Sequence, residues 1–170
     1  NASSLSADDF NDDFEAVTEE EVNQSLLDEE ERSRAANFGV SLQDVGNICR
    51  KVPNLGVEIV HARSTVTVDD FRSRIQACLE SPRSHAESSK MKRPEQVMIV
   101  NFSRPALHQS GSGHFSPIAC WHASEDVVLL LDTARFKYPA FWVPVVELWQ
   151  ACATSDSEKM DPRGFLTLSR

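Results

Sequence analysis

The sequence predicts an α+β domain, and three observations carry that prediction. Helix signals with capping residues fill much of the chain before residue 80, and short apolar runs of strand length follow from residue 96 onward. Polar turn residues separate those runs closely enough for antiparallel pairing, which segregates helices from sheet. At 170 residues the chain fits one such domain with a sizeable core.

Residues 1–36 are acidic and poor in aromatics; within them "TEEEVNQSLLDEEERSR" fits either a solvated helix from Thr18, with Glu21 completing a capping box, or a flexible segment. "SLQDVGNICRKV" begins a helix with Ser41 as N-cap, Asp44 three residues on, and Val45, Ile48 and Cys49 on one face. "VEIVHA" (57–62) reads as a short strand. "TVDDFRSRIQACLE" is a helix capped by Thr67, with acids in its first turn and Val68, Phe71, Ile75, Cys78 and Leu79 at helical spacing.

Residues 81–95 form a polar loop. "QVMIVNF" (96–102), a continuous apolar run between Pro94 and Pro105, has the character of a central strand. "LHQSGSG" is a turn; "HFSPIACWHA" and "VVLLLD" are strands joined across "SED". "VPVVELWQACA" is a helix with Pro144 near its start, and "GFLTLS" (164–169) is a final strand.

Charge and cysteine usage narrow the function classes. The net charge is −9, but twelve of the 26 acidic residues lie between Asp8 and Glu31, and from Arg32 onward 17 basic residues face 14 acidic ones. No basic stripe is concentrated enough for nucleic acid, whereas a mildly cationic body suits a small anionic substrate. No apolar run reaches about 18 residues, so no membrane-spanning helix is expected. The four cysteines, Cys49, Cys78, Cys120 and Cys152, form no C-x-x-C pair and read as reduced core thiols. No residue is assigned as a metal ligand: Cys120 and His122, alternate residues of one strand, are a weak pair. Asn101-Phe-Ser103 matches a glycosylation sequon but falls in a strand that reads as buried.

The residues with chemical promise are His114, in a glycine turn, and Asp132, closing a strand of Val and Leu. In a hairpin whose turn centres on Ala123, His114 stands opposite Asp132; a centre one residue away leaves them diagonal neighbours about 7–8 Å apart at Cα. A carboxylate bonded to one imidazole nitrogen would fix the tautomer and stabilise the imidazolium. A buried structural His–Asp pair stands beside this catalytic reading. The glycines at 111 and 113, which open the backbone beside His114, and the cost of an unpaired ionised residue after an apolar strand favour function. None of the four thiols is a convincing nucleophile. Cys120 lies six residues along the same strand, roughly 20 Å away, and the others sit late in helices, where the dipole raises a thiol pKa.

"GSGHFSPIACWHASEDVVLLLDTARFKYPAFWVPVVELWQA" resembles the catalytic domain of the phytochelatin synthases, also called glutathione γ-glutamylcysteinyltransferases, whose fold is papain-like. The pattern G-H-F-S-P, a hairpin, then L-D-x-A-R-F-K-Y-P and W-V-P is long and specific, and weaker similarity extends through "GVSLQDV", "VDDFRSRIQACLES", "VNFSR" and "PRGFLTLSR". The resemblance covers about residues 37–170 and leaves 1–36 poorly matched. It implies acyl transfer on glutathione: a cysteine thiolate attacks, glycine leaves, and the γ-glutamylcysteinyl thioester passes to a second glutathione or a growing phytochelatin. In that scheme His114 is the general base and acid, and Asp132 orients it.

Arg104, Arg135 and Lys137 fall on family positions thought to hold substrate carboxylates; on the residues alone, surface charge is the alternative for each, and Tyr138 reads as core. The resemblance further implies no organic cofactor and a heavy-metal ion, cadmium or zinc, acting through glutathione thiolates. The implied partners are glutathione and glutathione–metal thiolates, the location cytoplasmic, with room for a homodimer. The family's nucleophile stands in a Y-C-G context that this sequence lacks. With Asn rather than Met at position 1, that predicts a nucleophile before Asn1 and an inactive 170-residue chain. Cys120, where plant members tend to have Gly, reads as a packing change. A glutathione-hydrolysing relative and a catalytically inactive interaction domain are the alternatives.

Overall fold

The computed structural model describes residues 25–63, 65–80, 95–155 and 162–169. The chain divides into two compact units, Asn1–Gly39 and Val40–Arg170. In the first, helix α1 (Glu29–Phe38) starts at Asp28, whose side chain accepts from the Glu31 amide at 2.8 Å while Glu31 reaches back to the Asp28 amide at 3.0 Å. Three glutamates in its first turn complement the helix dipole, and none of its residues is buried. The helix start expected at Thr18 lies outside the described residues.

The described residues of the second unit form a six-stranded sheet carrying three α-helices. Its strands are β1 (Gly56–His61), β2 (Gln96–Ser103), β3 (Gly113–His122), β4 (Val127–Leu130), β5 (Phe141–Pro144) and β6 (Gly164–Ser169). Their order across the sheet is β1-β6-β2-β3-β4-β5, with every neighbouring pair antiparallel. The strand latest in sequence is thus inserted between the first two. It enters through Gly164, where a Cβ would collide with the Val60 carbonyl, so only glycine fits that close approach.

Helices α2 (Leu42–Cys49) and α3 (Val68–Leu79) begin at the expected caps. Ser41 with Asp44, and Thr67 with Asp70, each form a reciprocal capping box that satisfies two otherwise orphaned amides. Helices α3 and α4 (Val145–Cys152) pack on each other and on β2. Phe71 of α3 meets Phe165 of β6 and Trp149 of α4 at ring-centroid distances of 5.3 and 5.2 Å. Met98, Val100 and Phe102 of β2 and Val128 and Leu130 of β4 complete this core, each side chain worth about 1.5–3 kcal/mol on burial. The expected central strand is β2, flanked by β6 and β3.

Three local features differ from the sequence reading. Val143 and Pro144, read as the start of a helix, close edge strand β5 instead, which pairs with β4, and Pro144 stands as the N-cap of α4. Proline is tolerated there because an edge strand leaves one side without ladder partners. The segment between β2 and β3 holds a 3₁₀ turn at Pro105–Leu107. Cys120 is exposed rather than packed, whereas Cys78 and Cys152 are buried and Cys49 is half-buried. Asn101 is 5 % exposed, which leaves its sequon inside the sheet.

Candidate active site

A bulge in the β3–β4 hairpin decides which side chains meet. Near the turn, His122 pairs with Val127, Trp121 with Val128 and Cys120 with Leu129; beyond Ala119 the partner of Ile118 is Leu130. The turn therefore spans four residues, Ala123–Asp126, rather than centring on Ala123. Extended without the bulge, that register would set Asp132 across from Pro117, on the face opposite His114. One extra residue restores the phase. His114, Ser116 and Ile118 then share a face with Val128, Leu130 and Asp132, while Cys120 faces solvent. His114 and Asp132 are diagonal neighbours rather than direct partners, and Asp132 lies just past the end of β4.

The imidazole and the carboxylate are in contact. His114 Nε2 is 2.8 Å from Asp132 Oδ1, an oxygen that also accepts from the Ala134 amide at 2.8 Å and from Arg104 Nη2 at 3.0 Å. Asp132 Oδ2 faces the same Nη2 at 2.9 Å. Thr133 Oγ1 donates to the Phe115 carbonyl at 3.0 Å, which leaves a lone pair toward His114 Nε2, 3.2 Å away. Nε2 thus faces two acceptors and carries the proton. Nδ1 keeps its lone pair, with no hydrogen-bond partner among the described residues, and is the nitrogen free to exchange a proton with a reacting group. Across β2–β3, Phe102 pairs with His114 and holds the ring edge-on at 5.8 Å.

These contacts set the charge states. Burial pushes the His114 pKa down and the Arg104 charge adds to it; Asp132 pulls it back only in part, and Lys137 lowers it further. The imidazole is therefore neutral at neutral pH. Burial pushes the Asp132 carboxyl up, but the bonds from Arg104 and Ala134 and the neighbouring positive charges outweigh it, so the group stays ionised, below its usual range. Burial also raises the pKa of three thiols, Cys49, Cys78 and Cys152, with the Met98 amide offsetting part of it at Cys78 and the Arg163 charge part of it at Cys152.

Of the residues singled out in the sequence, the structure brings His114, Asp132 and Arg104 together. Arg104 is 3 % exposed, not a surface charge. Lys137 is adjacent, its Nζ donating to the Ser110 carbonyl at 2.7 Å. Arg135 is exposed and makes no hydrogen bond or ion pair among the described residues. Tyr138 is not core: its ring lies under the Arg104 guanidinium at 4.8 Å, and its hydroxyl accepts from the Ser110 amide at 2.9 Å. Sequence reasoning missed Thr133, Gln109 and Phe102. The only signal for Thr133 was its place directly after Asp132, and for Phe102 its apolar strand. No group of three or more His, Cys, Asp or Glu side chains able to hold a metal ion occurs among the described residues. No described helix is long and apolar enough to cross a membrane.

Comparison with known proteins bears on this arrangement. A family model described as phytochelatin synthase matches residues 5–165, a span that takes in most of the acidic segment. The chain is 41 % identical over 104 residues to glutathione gamma-glutamylcysteinyltransferase 3 of Lotus japonicus, covering 61 % of this chain and 19 % of that protein. It is likewise 41 % identical over 104 residues to glutathione gamma-glutamylcysteinyltransferase 2 of Arabidopsis thaliana, covering 61 % of this chain and 20 % of the relative. To the glutathione gamma-glutamylcysteinyltransferase of Schizosaccharomyces pombe it is 34 % identical over 103 residues, 61 % of this chain and 22 % of that one. The chain thus spans about a fifth of the length of the curated relatives it matches.

Proposed function

This chain belongs to the phytochelatin synthase family, and from that premise we propose that it carries the acid–base half of a glutathione γ-glutamylcysteinyltransferase site. Its antiparallel sheet with packed helices is the family's papain-like α+β fold. The observation that carries the reading is the 2.8 Å bond from His114 Nε2 to Asp132 Oδ1, with Nδ1 left unengaged among the described residues.

In this reading His114 Nδ1 first takes the proton of a cysteine thiol, and the resulting thiolate attacks the glutathione carbonyl that precedes glycine. The new C–S bond forms as the C–N bond breaks, and His114 delivers a proton from Nδ1 to the departing glycine amine. The amine of a second glutathione, or of a growing phytochelatin, then attacks the thioester. His114 takes up the proton it loses, and the thiolate is released. Asp132 keeps the imidazole turned with Nδ1 toward the reacting atoms and balances the imidazolium while it lasts. None of the four thiols in this chain supplies the nucleophile: three have raised pKa values, and Cys120 faces away from His114 beyond the bulge.

Arg135 and Lys137 offer cations to the glutathione carboxylates, and a guanidinium fork matches a carboxylate in two parallel bonds. Cadmium or zinc enters as glutathione thiolate, as part of the substrate. The reading places the reaction in the cytoplasm and admits a homodimer.

The test is to incubate the whole protein with glutathione and cadmium and separate the products. Oligomeric γ-glutamylcysteinyl peptides are expected. Glycine and free γ-glutamylcysteine alone would make the protein a hydrolase, and no glycine release would make it an inactive interaction domain. Arg135→Ala is expected to lower kcat/KM for glutathione about ten- to a hundredfold, chiefly through KM, the scale of one lost charge-assisted bond. An unchanged KM would remove Arg135 from the substrate site.

A further inference from the structure

We infer that Arg104 is a positioning residue for the His114–Asp132 pair and does not anchor a substrate carboxylate. The inference deepens the functional reading above and rests on it.

Both terminal nitrogens of the guanidinium, and one of its faces, are engaged. Nη2 lies 3.0 Å from Asp132 Oδ1 and 2.9 Å from Oδ2, Nη1 donates to Gln109 Oε1 at 2.5 Å, and one face lies on the Tyr138 ring at 4.8 Å. The Arg104 side chain is 4 % exposed and that of Asp132 is 0 % exposed. A carboxylate taken on the Nη1–Nη2 fork would have to displace Asp132 or Gln109, and displacing Asp132 would strand a buried carboxylate without its cation.

The segment that follows β2 is folded around this residue. The Arg104 amide donates to the Ser112 carbonyl at 2.9 Å, and its carbonyl accepts from the Leu107 and Gln109 amides at 3.0 and 2.9 Å. Gly111 sits at φ +118, a conformation that side chains rarely adopt, and a Cβ there would stand 3.2 Å from Arg104 Cδ. Sequence, turn and stacking partner all converge on holding one guanidinium against one carboxylate.

Two consequences for His114 follow. Asp132 is fixed from two sides, so the imidazole bonded to it cannot swing. Its negative charge is also shared, so the carboxylate is a weaker partner for imidazolium than a lone aspartate. The charged groups around the imidazole are Arg104 after β2, Asp132 after β4 and Lys137 in the turn beyond it. The Arg163 guanidinium comes in beside Gly113, within 3.3 Å of where a Cβ would stand. Among these, Arg104 is the cation bonded to the same carboxylate as His114.

The test uses the whole protein with ¹⁵N-labelled histidine, the His114 resonance being identified by its loss in His114→Ala. In Arg104→Met the His114 titration midpoint is expected at higher pH than in wild type. kcat is expected to fall about ten- to a hundredfold, the usual effect of removing a group that orients a functional histidine through its partner, with KM for glutathione within about twofold. Arg104→Lys keeps the charge but cannot span Asp132 and Gln109 together. Its midpoint should return toward wild type while kcat recovers only in part, and this milder variant decides the matter if Arg104→Met does not fold. A raised KM with kcat and the His114 midpoint unmoved, in either variant, would make Arg104 a carboxylate anchor and overturn the inference. Normal turnover in His114→Ala would instead overturn the functional reading, so the two failures are distinct.

Discussion

His114→Ala in the whole protein is expected to abolish acyl-enzyme formation from glutathione and to lower turnover by about four orders of magnitude or more. The size follows from the double duty of Nδ1, which protonates the leaving glycine and then deprotonates the acceptor amine. No second base stands ready on the same carboxylate: the other groups bonded to Asp132 are the Ala134 amide and a guanidinium that stays protonated. Intact-protein mass spectrometry would read the thioester adduct directly, and glycine release would read turnover. An adduct at wild-type level would refute the assignment. The fold should survive, because Asp132 keeps its Arg104 and Ala134 bonds. With the folded pKa of His114 below the ordinary value of about 6.5, the unfolded chain binds that proton more readily. Wild-type stability therefore declines as pH falls below about 6.5 toward the folded value, and the variant lacks that component.

Asp132→Ala is expected to combine loss of activity with the largest loss of stability at the site, about 3–5 kcal/mol, because it leaves the buried Arg104 guanidinium without its counter-charge. Turnover should drop by about three to four orders of magnitude as the imidazole loses its orienting partner. Urea denaturation of wild type, Asp132→Ala, Arg104→Met and the double variant gives the coupling. Removing both charges should cost less than removing the carboxylate alone. A loss in the double variant equal to the sum of the two single losses would show that the ion pair contributes no coupling. The Asp132 pKa is held down in the folded state, so its stabilisation is complete above the unfolded value of about 3.9 and disappears as pH falls through the folded one. Wild type and Asp132→Ala should therefore converge in acid.

The parts legible in the sequence were those fixed over three or four residues. Ser41 with Asp44 and Thr67 with Asp70 announce helix starts because the capping partners are neighbours in the chain. The β2 run and the two long hairpin strands were legible for the same reason. Strand β5 was not, because "FWVP" is a strand only by virtue of pairing with β4. Ala119 has no chemical mark of a bulge, yet it decides which face Asp132 takes. For Arg104 the sequence left a substrate contact and a surface charge side by side, since its partner lies 28 residues away and no local pattern reports the burial of a charge. The His–Asp pair itself was legible because a strand hairpin restricts which residues can meet. The tautomer was not, because it depends on Thr133 spending its proton on Phe115.

The insertion of β6 between β1 and β2 has a consequence during synthesis. Among the described residues strand β1 has no sheet neighbour other than β6, and β2 keeps one bare edge until residues 164–169 leave the ribosome. The β2–β5 meander can pair as it emerges. Phe71, however, waits some ninety residues for Phe165, since the two rings lie 94 positions apart in the chain and meet at 5.3 Å. Non-local closure of this kind folds slowly and leaves unpaired strand edges open to neighbouring chains. The nascent chain therefore carries the open β2 edge until β6 slots in and joins β1 to the β2–β5 meander.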